Sequence, residues 1–138
     1  MKAYLGLGTN LGDRKANLTR AVELINEQAG HVLACSSFIE TEPWGFSSDN
    51  AFLNAVVEID TLHSPRALLK ATQAIEREMG RTHKSVNGNY SDRIIDIDIL
   101  LYDKVSVDDE DLIIPHPLMW KRRFVYESLW EIAPHLRE

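Results

Sequence analysis

Two aspartates, Asp96 and Asp98, are separated by one residue within the apolar stretch 93–100 (RIIDIDIL). Because side chains alternate across a strand, both carboxylates should lie on one face, about 6 to 7 Å apart along the strand. Neighbouring carboxylates repel each other, and a bound cation is the simplest reason to place them together. Mg²⁺ typically takes one or two carboxylates and completes its shell with water and substrate phosphates. The solvent-exposed face of a half-buried strand would show the same pattern. The doublet alone is therefore consistent with a cation site and with an ordinary exposed face.

Basic side chains flank the acidic doublet on both sides. Arginine offers a planar set of donors that suits phosphate oxygens, whereas the chain as a whole is acidic, with a net charge of -6. Any one of these residues fits a role in surface solubility, but their concentration beside a candidate Mg²⁺ site favours phosphoryl transfer. They are Arg81, His83, Lys84 and Arg93 before the doublet, and His116, Lys121, Arg122 and Arg123 after it.

Aromatic side chains and an amide are candidates for binding a flat heterocycle. Trp44, Phe52, Tyr90 and Phe124 could stack on such a ring, and Asn54 carries both a donor and an acceptor for its edge. Packing in the core is the alternative for Phe52 and Phe124.

Three polar residues are further candidates. Gln73 and Glu76 are three apart on a predicted helix, away from its apolar stripe, so both are expected to face the same solvent-side cleft. Alone they are ordinary residues of a helix surface. His116 lies between two prolines, which restrict the backbone and aim the imidazole, although a histidine in a turn often has a structural role instead.

Several common nucleotide and metal motifs are absent from the sequence. The glycine run 6–12 (GLGTNLG) misses the dinucleotide-binding fingerprint by one position, and no P-loop lysine motif occurs. One cysteine and no histidine pair at ligand spacing argue against a zinc site.

The candidate residues must be positioned by a mixture of strands and helices. Apolar patterning predicts strands near 4–7, 31–40, 52–60 and 94–102, a helix before Gly30 and a second helix from Ser64 to Gly80. The order strand, helix, strand, strand, helix, strand predicts an α+β fold, a ferredoxin-like split β-α-β sheet with both helices on one face. The tail from Asp108 is expected to add C-terminal elements, with a short helix near 118–130.

Length and composition restrict the class of protein. With 138 residues and 44% apolar content, we expect one domain, 1–138. The net negative charge argues against nucleic acid as a partner, and no apolar run is long enough to cross a membrane. The single cysteine, Cys35, lies in a segment predicted to be a buried strand, 32–35. A reducing cytoplasm is therefore the expected location.

Taken together, these residues resemble the 6-hydroxymethyl-7,8-dihydropterin pyrophosphokinase family, which transfers pyrophosphate from ATP to a pterin hydroxymethyl group in folate biosynthesis. The resemblance runs nearly end to end. It rests on 7–13 (LGTNLGD), 41–45 (TEPWG), 52–55 (FLNA), Gln73, Glu76, Gly80, Arg81, 93–100, 115–117 (PHP), Arg122 and Phe124.

The resemblance implies roles for individual residues. Asp96 and Asp98 would bind a pair of Mg²⁺ ions together with the phosphates of ATP, and Phe52 and Phe124 would sandwich a reduced pterin. The implied catalytic residues are Arg81, His83 and Arg93; those for the nucleotide are Gln73, Glu76, Ile99, His116 and Arg122; those for the pterin are Thr41, Pro43, Trp44, Phe52, Asn54, Tyr90 and Phe124. The expected assembly is a monomer or a weak homodimer.

The sequence departs from the family pattern in one segment, 81–92. His83 stands where many members have a second arginine, and Tyr90 stands where some have tryptophan. The resemblance implies that this segment is a loop that closes over the site as a lid. Lids of this kind mainly exclude water and bring further basic side chains to the phosphates, so the departure bears on loop closure more than on the reaction. Two other functions fit the residues: a non-enzymatic ferredoxin-like module that binds a small effector, and an ordinary kinase or phosphohydrolase with the same metal site.

Overall fold

The computed structural model describes residues 1–41, 51–80 and 94–137. Its main sheet is antiparallel, with strands in the order β2-β4-β1-β5 and with β3 pairing to β4 beside β2. The strands are β1 (Lys2–Thr9), β2 (His31–Cys35), β3 (Ile39–Thr41), β4 (Phe52–Asp60) and β5 (Asp96–Tyr102).

Two helices connect these strands, and further elements follow the sheet. Since β4 lies between β1 and β2, and β1 lies between β4 and β5, the arrangement is a split β-α-β sheet. The predicted α+β, ferredoxin-like architecture with C-terminal additions is confirmed. The remaining elements are α1 (Arg14–Gln28), α2 (Pro65–Glu78), the hairpin β6 (Val107–Asp109) and β7 (Leu112–Ile114), α3 (Arg123–Ile132) and a final 3-10 turn (Pro134–Arg137).

The starts of α1 and α2 are set by local sequence. The Asp13 side chain accepts a hydrogen bond from the amide of Ala16 at 3.1 Å, and Ser64 Oγ accepts one from Ala67 at 3.2 Å. These bonds satisfy donors that a helix N-terminus leaves open. Beyond α2, Gly80 has a φ of +102°, a conformation that glycine adopts at little cost.

The two faces of the sheet have separate apolar cores. On one face α1 and α2 bury alternate strand residues such as Leu5, Val57 and Ile97. On the other face α3 covers a smaller core that includes Tyr4 and Val56. The Tyr4 hydroxyl donates to the buried carboxylate of Glu58 on this second side. The same face carries Gly6 and Gly8, where it forms the floor of a cleft.

Three features differ from the sequence predictions. The stretch 31–40 forms two strands rather than one, because the Val56 amide donates to Ser36 Oγ at 2.8 Å rather than to a backbone carbonyl, which interrupts the backbone ladder between them. The segment around Cys35 is a strand, but its expected burial is wrong: among the described strands β2 lies at the sheet edge, with Leu33 44% exposed and Cys35 exposed. The C-terminal helix begins at Arg123, since hydrogen-bonded turns occupy residues 116–121.

Within 1–41, 51–80 and 94–137, no helix has the length and apolar character that crossing a membrane requires.

Candidate active site

A cleft on the sheet face opposite α1 and α2 brings together many of the predicted site residues. Its floor is formed by β1, β4 and β5, and one wall is formed by residues 116–125. The predicted residues that line it are Thr41, Phe52, Asn54, Asp96, Asp98, His116, Arg122 and Phe124.

Asp96 and Asp98 line the cleft because successive side chains of β5 point to opposite faces of the sheet. Asp96 and Asp98 are half-buried and line the cleft, whereas Ile97 and Ile99 are buried in the core beneath α1 and α2. On β1, Asp96 lies opposite Gly8 and Asp98 lies opposite Gly6. The two carboxylates therefore share one face, as the spacing predicts.

Gly6 and Gly8 make space beside the carboxylates. A Cβ atom on Gly8 would lie 3.1 Å from Asn54 Oδ1 and 3.6 Å from Phe52 Cδ1, and one on Gly6 would lie 3.4 Å from Leu100 Cδ2. Sequence reasoning missed this floor. Its signal is the alternation of two glycines within a strand, which often marks a site where a ligand approaches the backbone closely.

The orientation of the Asn54 amide is fixed by two hydrogen bonds. Its Nδ2 donates to the Ile39 carbonyl at 3.2 Å and to Thr41 Oγ1 at 2.7 Å. The amide carbonyl therefore points toward the floor near Gly8, where it can accept a hydrogen bond. Because Thr41 Oγ1 accepts from Asn54, the hydroxyl hydrogen of Thr41 remains for donation. The two side chains can thus present an acceptor and a donor to the edge of a heterocycle.

His116 is held beside the doublet by its backbone and its ring. Its amide donates to the Leu100 carbonyl at 2.9 Å, and its Nδ1 accepts from the Leu118 amide at 3.2 Å. Burial and, to a smaller extent, the nearby Arg122 guanidinium lower the pKa of His116, while Asp96 acts in the opposite direction. A neutral ring with an accepting Nδ1 carries its proton on Nε2, so it can donate to an anion from that atom.

Two aromatic rings and an arginine complete the cleft. Phe52 is the first residue of β4, Arg122 immediately precedes α3, and Phe124 lies in the first turn of α3. Both phenylalanines are partly buried, and Phe124 also packs against the smaller core. Core packing and exposure to the cleft therefore coexist for Phe124.

Three predicted nucleotide residues do not line the cleft. Ile99 is 4% exposed and belongs to the core under α1 and α2. Gln73 is half-buried on α2. The expectation that Glu76 faces a solvent-side cleft is wrong, because this side chain is 8% exposed and its Oε2 accepts from the Ile97 amide at 2.9 Å.

Six predicted site residues lie outside the described residues: Pro43, Trp44, Arg81, His83, Tyr90 and Arg93. The described residues on either side of 42–50 are held together by hydrogen bonds. Arg14 donates to Glu40 Oε1 at 2.7 Å and to the Ala51 carbonyl at 2.9 Å, and Thr41 pairs with Phe52.

The donor set in the cleft fits a hard divalent cation. Asp96 and Asp98 offer carboxylate oxygens from one strand face, beside a cleft that can admit a phosphate. Mg²⁺ commonly binds through one or two carboxylates and takes its other ligands from water and substrate phosphates. In the part of the chain that the structure describes, no group of three or more His, Cys, Asp or Glu side chains is arranged to hold a metal ion.

The sequence matches the family model for 7,8-dihydro-6-hydroxymethylpterin-pyrophosphokinase over residues 4–134. It is 52% identical over 134 residues to the 2-amino-4-hydroxy-6-hydroxymethyldihydropteridine pyrophosphokinase of Porphyromonas gingivalis, covering 96% of this chain and 91% of that protein. A Bacillus subtilis protein of the same name is 42% identical over 137 residues, with 99% and 80% covered.

Solved structures share the fold at low sequence identity. A crystal structure of wild-type Plasmodium falciparum HPPK-DHPS with SDX-DHP matches with a TM-score of 0.71 at 16% identity. The match covers 96% of this chain and 41% of that chain. With its sequence matched over residues 4–134 and with eight of the predicted site residues lining one cleft, the chain belongs to the 7,8-dihydro-6-hydroxymethylpterin-pyrophosphokinase family.

Proposed function

We propose that the cleft is where this chain transfers pyrophosphate from ATP to 6-hydroxymethyl-7,8-dihydropterin, giving AMP and the pterin diphosphate in folate biosynthesis. The main support for this proposal is that two kinds of side chain line one cleft. The carboxylates of Asp96 and Asp98 line the same cleft as the fixed amide of Asn54. A site for metal-bound phosphates therefore adjoins a site for the edge of a heterocycle.

The pterin end of the proposed site uses shape and hydrogen bonding. Phe52 and Phe124 offer ring faces for stacking, which suits a flat bicyclic ligand. Asn54 Oδ1 accepts from the ligand edge, and the Thr41 hydroxyl donates to it. Pro43, Trp44 and Tyr90 are proposed to border this pocket, on the basis of the resemblance alone.

The phosphate end uses charge. Asp96 and Asp98 are proposed to hold a pair of Mg²⁺ ions, which would neutralise phosphate charge and orient the phosphate chain. His116 donates from Nε2 to a phosphate oxygen, and Arg122 lies on the same wall. Arg81, His83 and Arg93 are proposed to contribute further donors, while Gln73, Glu76 and Ile99 are assigned to the neighbourhood of the nucleotide.

The transfer needs little covalent help from the protein. The pterin hydroxyl oxygen bonds to the β-phosphorus, the bond from that phosphorus to the oxygen bridging the α-phosphate breaks, and the hydroxyl proton is released to solvent water. AMP leaves with the electron pair of the broken bond. The residues contribute by holding the two substrates in line and by stabilising charge on the phosphates.

We also propose that residues 1–138 act as one domain, as a monomer or weak homodimer in the cytoplasm, without nucleic acid or membrane partners. The two cores support a single domain because they lie on opposite faces of one sheet. The lone cysteine supports a reducing compartment because it gives no internal disulfide.

The reaction is tested by separating nucleotides after incubation with ATP and Mg²⁺, with and without the pterin. We expect AMP that depends on the pterin, and we expect Asp98→Asn to abolish most of it while the variant stays folded. Formation of ADP would instead indicate an ordinary kinase. Pterin binding without any turnover would favour a binding module or an inactive relative.

A further inference from the structure

Glu76 on α2 contacts the strand that carries the acidic doublet, at the residue between the two aspartates. Its Oε2 accepts a hydrogen bond from the Ile97 amide at 2.9 Å, and the side chain is 8% exposed. We infer that Glu76 is a positioning residue for the metal site, acting through the backbone of Ile97 rather than by contact with ATP. This inference rests on the proposed metal-binding function of Asp96 and Asp98.

The position of β5 in the sheet explains why such a bond matters. Among the described strands, β5 is the last on its side of the sheet and pairs only with β1. Asp96 and Asp98 lie opposite Gly8 and Gly6, whereas the Ile97 amide is directed to α2. A backbone amide on an edge strand that has no protein partner would bond to water. The backbone of such an edge strand is held by fewer hydrogen bonds than that of a central strand. Glu76 supplies the missing partner from the helix.

The bond also fixes the direction of the two flanking carboxylates. The Ile97 side chain is buried in the core under α1 and α2, and its amide donates to Glu76. These two contacts fix the position and the backbone orientation of Ile97. Rotation of the Ile97 backbone would turn the Cα–Cβ bonds of both aspartates. Groups that hold metal ligands without touching the metal typically change metal affinity about 10- to 100-fold when removed.

The buried carboxylate of Glu76 would be unfavourable for stability if the side chain served only to pack against the core. Burial of a charged group is unfavourable unless hydrogen bonds compensate, and an apolar side chain of similar volume often packs at least as well. Of the other buried residues of α2, Leu68 and Ile75 are apolar, and the Thr72 hydroxyl donates to the Leu69 carbonyl of the same helix at 2.9 Å. The presence of an acceptor at position 76 is therefore explained by its donor on β5.

The test compares Glu76→Met with Glu76→Gln. Methionine fills a similar volume without an oxygen acceptor, whereas glutamine retains one. Glu78→Ala is the matched control, since it removes an exposed carboxylate from the same helix and its partners, Arg20 and Gln28, lie on α1. The measurements are exchange of the Ile97 amide by NMR and affinity for Mn²⁺, a paramagnetic substitute for Mg²⁺, with a non-hydrolysable ATP analogue.

In Glu76→Met we expect Ile97 exchange to accelerate by on the order of tenfold, as for loss of one hydrogen bond to a charged group. We expect Mn²⁺ affinity to fall about 10- to 100-fold. Glu76→Gln should retain most of both properties, and Glu78→Ala should match the wild type. If Glu76→Met does not fold, Glu76→Asp makes the same comparison, because its oxygens are withdrawn by one methylene.

Asp98→Asn separates failure of this inference from failure of the proposed function. Suppose that Asp98→Asn weakens Mn²⁺ binding but Glu76→Met, or Glu76→Asp in its place, binds Mn²⁺ normally. The positioning role of Glu76 is then overturned and the metal site stands. If Asp98→Asn also binds Mn²⁺ normally, the metal site is overturned, and the positioning role with it.

Discussion

The Nδ2 atom of Asn54 donates to Thr41 Oγ1 at 2.7 Å, joining adjacent strands at the mouth of the cleft. This bond, with a second one to the Ile39 carbonyl, uses the donors of the amide and leaves its carbonyl for a ligand. Recognition of the pterin edge therefore depends on a contact inside the protein as well as on the contacts to the ligand.

Replacing Thr41 by valine tests this dependence. Thr41→Val keeps the shape but removes the partner of Asn54 Nδ2, so the amide is no longer held in one orientation, and it also removes the hydroxyl proposed to donate to the ligand edge. A lost buried hydrogen bond costs about 1–3 kcal/mol, and we expect pterin affinity by calorimetry to fall by about tenfold or more. Thr19→Val is a control, because Thr19 is an exposed residue of α1 whose hydroxyl donates to the Lys15 carbonyl, away from the cleft. Equal affinities in wild type and Thr41→Val would contradict the orienting role.

The glycine floor gives a second prediction. In Gly8→Ala the new methyl group would lie 3.1 Å from Asn54 Oδ1, tighter than ordinary contact, so the amide or the ligand must shift. In Gly6→Ala the nearest atom is a flexible leucine methyl at 3.4 Å. We expect pterin affinity to fall more in Gly8→Ala than in Gly6→Ala, with both variants folded by circular dichroism. The reverse order would show that Asn54 does not lie against the ligand.

The lowered pKa of His116 predicts a pH dependence of stability. Burial keeps the folded-state pKa below the unfolded value of about 6.5, so between these two pKa values the unfolded chain binds more protons. The free energy of unfolding should therefore fall as pH is lowered from about 6.5 through the folded-state pKa. Urea denaturation over this range should show a smaller decline in His116→Asn. Parallel curves for the two proteins would rule out this contribution.

The buried pair of Tyr4 and Glu58 predicts an effect on stability without a direct effect on the site. Tyr4→Phe leaves the Glu58 carboxylate without its donor, and we expect the free energy of unfolding to fall by about 1–3 kcal/mol. Burial and, secondly, the bond to Glu58 raise the pKa of Tyr4 above 10. Wild-type stability should thus decline as pH rises above about 10, where the unfolded phenol ionises first.

Urea denaturation at neutral and alkaline pH checks both parts of this prediction, with pterin affinity as the control. Neither residue lines the cleft, so affinity at neutral pH should be unchanged. A large loss of pterin affinity in Tyr4→Phe would show that the pair of Tyr4 and Glu58 shapes the cleft.

Features set by neighbouring residues were predicted well from the sequence. The alternation of 95–99 placed Asp96 and Asp98 on one face, and Ser64 with Pro65 located the start of α2. The strand order followed from the sequence of elements, because few arrangements bury both helices on one side of an antiparallel sheet.

Features set by contacts between distant residues were missed. Helical periodicity placed Glu76 outside the apolar stripe and hence toward solvent, because periodicity does not show that an edge amide lies nearby to bond it. The exposure of Cys35 likewise depends on β2 lying at the sheet edge, and a single strand pattern does not contain that information.

The glycine floor has a consequence for how substrate preference can change within this fold. Glycine has the smallest side chain, so substitution at position 6 or 8 can only make the cleft shallower. A bulkier heterocycle must therefore be admitted by changes in the walls, at Phe52 or in the segment 116–125. Selection for larger ligands should consequently yield variants in the walls and none at the two glycines.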